Sequence, residues 1–384
     1  MRAQICTIII HACPFRHRVF LTSPGVTTFR KREGSALLSA LLLAACAAAP
    51  RAQDTAPLSP PLEILDRRAE RPQVVIVVLD GVRHQEIFDD NLAGEITPNL
   101  RRLASTRGAL VGGPGESDAM WATGPNFVSL PGYREIMTGR PSADCQQNAC
   151  APIALDTLAD EFRAEAASAR EIAVISSWEG IAQAASRHPE SIVISCGRKL
   201  IHNRDVLAAD SLSTALLRAG EGAPPAPGSG DFRPDALTAR IALEYLARER
   251  PRFLFLGLGE PDEYAHLDDY AGYLRSLRAA DRVIADIDAL FEQTGAWKRD
   301  ALLLVTTDHG RARDFRHHGG DVPESGRVWL LAAGQRVARS HLASTRQVAH
   351  LADIASTIRL LAGLPSDTTT STGAPIASLV GLER

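Results

Sequence analysis

Aromatic side chains are scarce, at 5% of 384 residues, so the chain advertises no stacking platform for nucleobases or sugar rings. An excess of one charge is missing too: 42 Lys and Arg stand against 45 Asp and Glu, a formal net charge of -3. That near balance gives no support for binding nucleic acid or another polyanion. The six cysteines contain no CxxC pair, which argues against a zinc finger. Beyond the N-terminal region no apolar run reaches the roughly 20 residues of a membrane span, and no internal repeat is evident. What is present is ordinary apolar content, 45%, in a chain long enough for one large or two ordinary domains with ample core.

The N-terminal region reads as a leader. "RKREGSALLSALLLAACAAAP" joins a basic segment (Arg30, Lys31, Arg32) to an apolar stretch of signal-peptide length followed by small residues. Export to the periplasm or exterior is expected. Residues 1–29 are unusual for such a signal and fit initiation further along, at Val19 or Val26. "LAAC" resembles a bacterial lipobox, which makes Cys46 a candidate lipid-bearing residue and the one expected route to a membrane. "QDTAPLSPPLEI" is a Pro-rich spacer. Residues 1–53 are therefore taken as leader and linker, and residues 54–384 as a single domain. Three cysteines remain in that domain. Cys145 and Cys150 can close the small loop "CQQNAC" in an oxidising compartment, leaving Cys196 as a buried free thiol.

The domain alternates two patterns. "QVVIVVLDG", "EIAVISS", "SIVISC", "RFLFLGLGE", "ALLLVTTD" and "GRVWLLAAG" are apolar, β-branched runs of the kind buried on both faces of a sheet. Between them lie helical patterns: "TPNLRRLASTRG", "ALDTLADEFRAEA", "PDALTARIALEYLARER", "YLRSLRAADRVIADIDALFEQTG" and "QVAHLADIASTIRLLAGL". Several open at a cap or Pro and close at Gly. The expectation is an α/β fold, a mainly parallel sheet with helices on both faces. "GEGAPPAPGSGDFRP" reads as a small cap or excursion, because the rhythm resumes after it.

In such a sheet, ligands bind beyond the carboxyl ends of the strands. The polar residues placed there are Asp80, then Asp262 and His266, then Asp308 and His309, with His317-His318-Gly319 in the next loop. Carboxylate plus imidazole suits zinc and similar divalent ions. Asp262 and His266 are four apart after Pro261, so one helical turn puts both on one face. Each signal also has a plainer reading. Asp262 and His266 can be a surface contact, Asp80 a turn or cap residue, Asp308-His309 the polar tip of a turn. Four such signals on one sheet edge are hard to attribute to chance. Ser129, before Pro131, opens a helix-like run; it can be an N-cap, or a nucleophile ionised beside metal ions with the helix N-terminus favouring an anionic substrate.

Taken in order, "VVLDGVR", "TPNLRRLASTRG", "SLPGYREIMTGR", "EPDEYAH", "TTDHG", "HHGGD" and "LADIASTIRLLAGL" resemble the alkaline phosphatase superfamily. Within it the chain is most similar to nucleotide pyrophosphatase/phosphodiesterase-like members, over roughly residues 73–375. The resemblance implies two divalent ions, Zn2+ in the first place with Mn2+ as the alternative. It assigns one to Asp80, Ser129, Asp308 and His309, and the other to Asp262, His266 and His318. His318 is preferred to His317 because it directly precedes a glycine. It further implies that Ser129 attacks phosphorus and forms a phosphoserine, with ions about 4 Å apart clamping the displacement. Asn148 lies where the phosphodiesterases carry an oxygen-binding asparagine, and Arg83 and Arg134 lie near the motifs as candidate substrate contacts. The expected substrate is a small phosphate ester: a diester, pyrophosphate or monoester.

Departures from the family pattern weigh the alternatives. The sulfatase signature is Cys/Ser-x-Pro-x-Arg, and here Tyr133 holds the arginine position, with Arg134 one residue late. A phosphoglycerate mutase needs a large insertion and a cytosolic location, against the leader and the short segment between Ser129 and Asp262. Phosphonate hydrolysis remains as an alternative, since it uses the same metal set. A non-catalytic binding relative is disfavoured because all seven ligand positions hold competent residues.

Overall fold

The run Val74–Leu79 has no polar side chain to offer to water, and the computed structural model buries all six residues in strand β1. The structure describes residues 72–198, 200–202, 211–224, 227, 230–342, 348–367 and 372–381. The chain divides into two units, Met1–Pro61 and Leu62–Arg384, and every described residue belongs to the second. The leader, Cys46 and the Pro-rich spacer lie outside the described residues, as does part of the 220–234 excursion.

The other described strands are β2 (Gly108–Val111), β3 (Met120–Trp121), β4 (Ile172–Ser176), β5 (Val193–Cys196), β6 (Leu200–His202), β7 (Phe253–Leu258) and β8 (Leu302–Thr306). They continue with β9 (Arg327–Val328), β10 (Leu330–Gly334), β11 (Ser340–Leu342) and β12 (Ala349–His350). Nine form the main sheet in the order β11-β2-β10-β8-β1-β7-β4-β5-β6. The pairs β8–β1, β1–β7, β7–β4 and β4–β5 are parallel, so the centre is a five-strand parallel block; β10 and β6 pair antiparallel at its flanks. The fold is the expected mainly parallel α/β sheet.

Alternation along β1 sends its side chains into two cores. Val74, Ile76 and Val78 meet the helices Ser129–Thr138, Leu158–Ala164 and Ala352–Ala362 through residues such as Leu130, Phe162 and Ile354. Val75, Val77 and Leu79 meet the helices Pro98–Arg107, Asp235–Glu249 and Tyr270–Thr294 through residues such as Leu103, Tyr245 and Ile284. Helices therefore cover both faces. Their ends follow local chemistry: Pro98 sits in a first turn, and Gly139, Gly295 and Gly363 close helices in the left-handed region.

Two runs differ from the sequence reading. "GRVWLLAAG" is two strands, because Trp329 interrupts it with its indole donating to Val82 O at 3.0 Å. The residues before it pair with β3 and those after it with β8 and β2. The C-terminal helical pattern starts only at Ala352; Ala349–His350 pair with β3 first. Among the described residues no helix is long and apolar enough to cross a membrane.

Candidate metal centre and active site

Parallel strands β8, β1 and β7 lie side by side, so the residues just past their carboxyl ends share one edge. Asp80 follows β1, Asp308 and His309 follow β8, and Asp262 lies in the first turn of the helix Glu260–His266 after β7. The sequence placed these residues at strand ends; the sheet order makes the three strands neighbours.

Close packing brings the groups together. Gly81 has φ +64°, and a Cβ there would lie 2.5 Å from Asp262 Oδ1. A Cβ on Gly132 would lie 2.3 Å from Asp308 O, so only glycine lets the Ser129–Thr138 helix press against that turn. The N-cap of that helix is Val128, without a side-chain cap bond. Ser129 is thus the first helical residue and its hydroxyl is free of capping duty. It donates instead to Asp80 Oδ1 at 3.4 Å.

Two donor clusters result. Asp80, Asp308 and His309 offer ligand atoms within 4.8 Å of one another, and so do Asp262, His309 and His318. His309 Nε2 stands 3.5 Å from Asp80 Oδ1, 3.6 Å from Asp308 Oδ2 and 3.9 Å from Asp262 Oδ1. It lies between the clusters rather than in one alone. His266 Nε2 lies 2.9 Å from Asp262 Oδ2 and 3.3 Å from His318 Nε2. His318 stacks on His309 and is oriented by Phe127 O, 2.9 Å from its Nδ1. His317 instead faces Asp314, 2.6 Å away and largely exposed.

The electrostatics of this cluster suit a cation. Burial, with the nearby Asp308 charge, holds the Asp80 carboxyl well above its ordinary range. Burial also raises Asp308. His318 is pushed down to about 2, mainly by burial and then by the charges of His309 and Arg311, so it stays a neutral donor. Among the described residues, Asp308 Oδ2 and His309 Nε2 are buried without a hydrogen-bond partner. Unpartnered buried donors and acceptors cost about 1–3 kcal/mol each, and a divalent ion between them would remove both penalties. The carboxylate and imidazole set fits Zn2+ or a similar ion.

The remaining expected residues divide. Asn148 reaches the Ser129 helix, where its Oδ1 accepts from Leu130 N at 2.9 Å. It is carried there by the loop that a Cys145–Cys150 disulfide closes. Cys196 is buried and free, its thiol pushed up to about 12 by burial. Arg83 is engaged within the chain. Its guanidinium binds the buried Glu86 and donates to Ala312 O (3.3 Å) and Arg313 O (2.5 Å), so it braces the 311–316 loop. Arg134 likewise holds Asp144 and Ala151 O, tying down the disulfide loop.

Two further residues take a place in the site. Arg311 is 1% exposed and pairs with Asp262 Oδ1, while donating to Arg316 O at 2.6 Å. It links the carboxylate to the loop carrying His318. Tyr133 donates to Asp80 Oδ2 at 2.8 Å. Its position one turn past Ser129 was the available signal.

A buried carboxylate–imidazole cluster thus lies at the edge of a parallel sheet with a hydroxyl against it, an arrangement able to hold a metal ion. Residues 231–365 match the Metalloenzyme superfamily, a span holding Asp262, His266, Asp308, His309 and His318. Among solved structures, wild-type alkaline phosphatase PafA aligns at TM-score 0.56 and 11% identity, over 81% of this chain and 99% of its own. A 2-O GAG sulfatase aligns at TM-score 0.57 and 13% identity, over 82% and 75%. The phosphonate monoester hydrolase of Silicibacter pomeroyi aligns at TM-score 0.53 and 15% identity, over 82% and 78%. At such identities these structures speak for the fold. No curated protein sequence matches the chain. The family match thus rests on residues 231–365, and the solved structures share the fold of the chain.

Proposed function

We propose that the chain is an exported two-metal hydrolase of small phosphate esters, with Ser129 as nucleophile. The observation that carries this reading is the Ser129 hydroxyl against Asp80, in a cluster where Asp308 Oδ2 and His309 Nε2 are buried and unpartnered among the described residues. Asp80, Ser129, Asp308 and His309 would hold the inner ion, and Asp262, His266 and His318 the outer one, with His309 beside both. When bound, such ions supply Lewis-acid charge to the attacking and leaving oxygens of an in-line displacement. Zn2+ fits the donors best, with Mn2+ as the alternative.

The chain's own residues do the rest. Ser129 Oγ, directed by Asp80, attacks phosphorus; the P–O bond to the leaving group breaks and a phosphoserine forms. Water then breaks the new P–O bond and returns the serine. The N-terminus of the ten-residue Ser129 helix favours the anionic phosphoryl group. Asn148 keeps an amide N–H donor beside that terminus while its Oδ1 holds Leu130 N.

Two features favour singly charged esters, diesters or phosphonate monoesters, over dianionic monoesters and sulfate esters. Arg83 and Arg311 both spend their terminal nitrogens on carboxylates and carbonyls, which leaves those nitrogens engaged rather than offered to an additional phosphoryl oxygen. Tyr133 holds the place of the arginine in the sulfatase signature. The test is turnover of bis(p-nitrophenyl) phosphate, p-nitrophenyl phenylphosphonate, p-nitrophenyl phosphate and p-nitrophenyl sulfate by wild type and Ser129→Ala. Preference for the first two, lost in the variant, supports the reading; sulfate preference or an active variant contradicts it.

A further inference from the structure

Asp80 is 1% exposed, and its two oxygens face different partners. Oδ1 meets Ser129 Oγ at 3.4 Å and His309 Nε2 at 3.5 Å. Oδ2 accepts from Tyr133 Oη at 2.8 Å. Ser129 and Tyr133 are four residues apart on one helix, so a single helical face delivers the nucleophile to one oxygen and a neutral donor to the other.

The tyrosine is itself fixed. It is 1% exposed, and its ring packs edge-on against Phe255 of β7 at 6.0 Å between centroids. The backbone beside it is immobilised where Gly132 presses on Asp308. A buried carboxylate with one free oxygen can swing or bind an ion through both oxygens. With Oδ2 held by a donor, Oδ1 alone faces Ser129 and His309.

We infer that Tyr133 is a positioning residue for the inner metal site: it holds Asp80 through Oδ2 so that Oδ1 serves the ion and Ser129. This rests on the proposed reading of Asp80 as a ligand. It also accounts for a neutral hydroxyl in the place where the sulfatase signature has a cation, since here the residue's partner is a carboxylate of the site itself. Hydrogen-bond partners of metal ligands typically change metal affinity or activity by about 10- to 100-fold when removed.

The test is Tyr133→Phe, which keeps the ring and its contact with Phe255. Divalent-ion affinity of the purified chain is measured by titration, the absorption spectrum is recorded with Co2+ as probe, and kcat and KM are followed on the preferred ester. Ser129→Ala is run in parallel. The inference predicts inner-site affinity and kcat lower by about 10- to 100-fold, a changed Co2+ spectrum, and KM and melting temperature close to wild type. Affinity, spectrum and kcat unchanged in Tyr133→Phe overturn it, even where Ser129→Ala is dead and the proposed function stands. An active Ser129→Ala with weakened ion binding in Tyr133→Phe removes the nucleophile but keeps the positioning role. A chain that takes up no divalent ion overturns both.

Discussion

Asp80, Asp308 and His309 sit at the ends of β1 and β8 and are at most 1% exposed. Asp262, His266 and His318 come from a helix and a loop, and the His266 side chain is 51% exposed. The inner donors are fixed by strands with neighbours on both sides, while the outer ones are fixed by Arg311, by Phe127 O and by one helical turn. Under the proposed function this difference separates two tasks. The inner half is a rigid frame for the nucleophile, and the outer half, with Asp262 buried and the His318 side chain 9% exposed, opens to solvent at His266, where a leaving group can depart.

The contrast breaks most sharply at Ser129. Ser129→Ala is expected to lower ester turnover at least about a thousandfold, while elemental analysis finds the metal content unchanged; loss of metal together with activity would make Ser129 a ligand first and a nucleophile second. Next come the two halves themselves. Asp308→Ala should abolish turnover irrecoverably, whereas His266→Ala should lose roughly 10- to 100-fold at limiting metal and recover when Zn2+ is added. Equal recovery of both variants would erase the distinction between the halves.

Smaller effects sharpen the frame around Ser129. Removing the disulfide in Cys145→Ala/Cys150→Ala frees the loop carrying Asn148, at a cost of about 2 kcal/mol for so short a loop. Chemical denaturation reads that cost, and KM should rise more than kcat falls. Asn148→Ala removes the acceptor of Leu130 N and should cost about 1 kcal/mol, with the same bias toward KM. Glu135, on the Ser129 helix, is 3% exposed, and burial pushes its carboxyl from 4.5 to about 7 against hydrogen bonds from Thr123 and Ala352. Because the folded state keeps the proton longer, this group's contribution is complete below pH 4.5 and is lost as pH rises to about 7. Glu135→Gln should flatten that part of the melting-temperature profile; an unchanged slope would assign it to other groups.

The central strands, both covered faces and the placing of Asp80, Asp308 and His309 at one sheet edge were legible because a long apolar run ending in Asp or His fits little besides a buried strand with a polar working edge. Short strands were not: β3, β9 and β12 have two residues each and exist through pairing with one another, which no local pattern announces. Arg83 and Arg311 show the same limit at the site. Both are arginines beside motifs, and only the fold tells that one braces a loop through Glu86 while the other pairs with Asp262. Tyr133 was visible as a departure from a signature, but its partner Asp80 lies 53 residues away.

The most direct test of a two-part metal centre is the metal stoichiometry of the purified chain beside Asp262→Ala. The account predicts two zinc-like ions per chain, falling to one in the variant, with the retained ion still bound by Asp80, Asp308 and His309. No bound ion and no uptake on addition, or the loss of both ions together in Asp262→Ala, would contradict it.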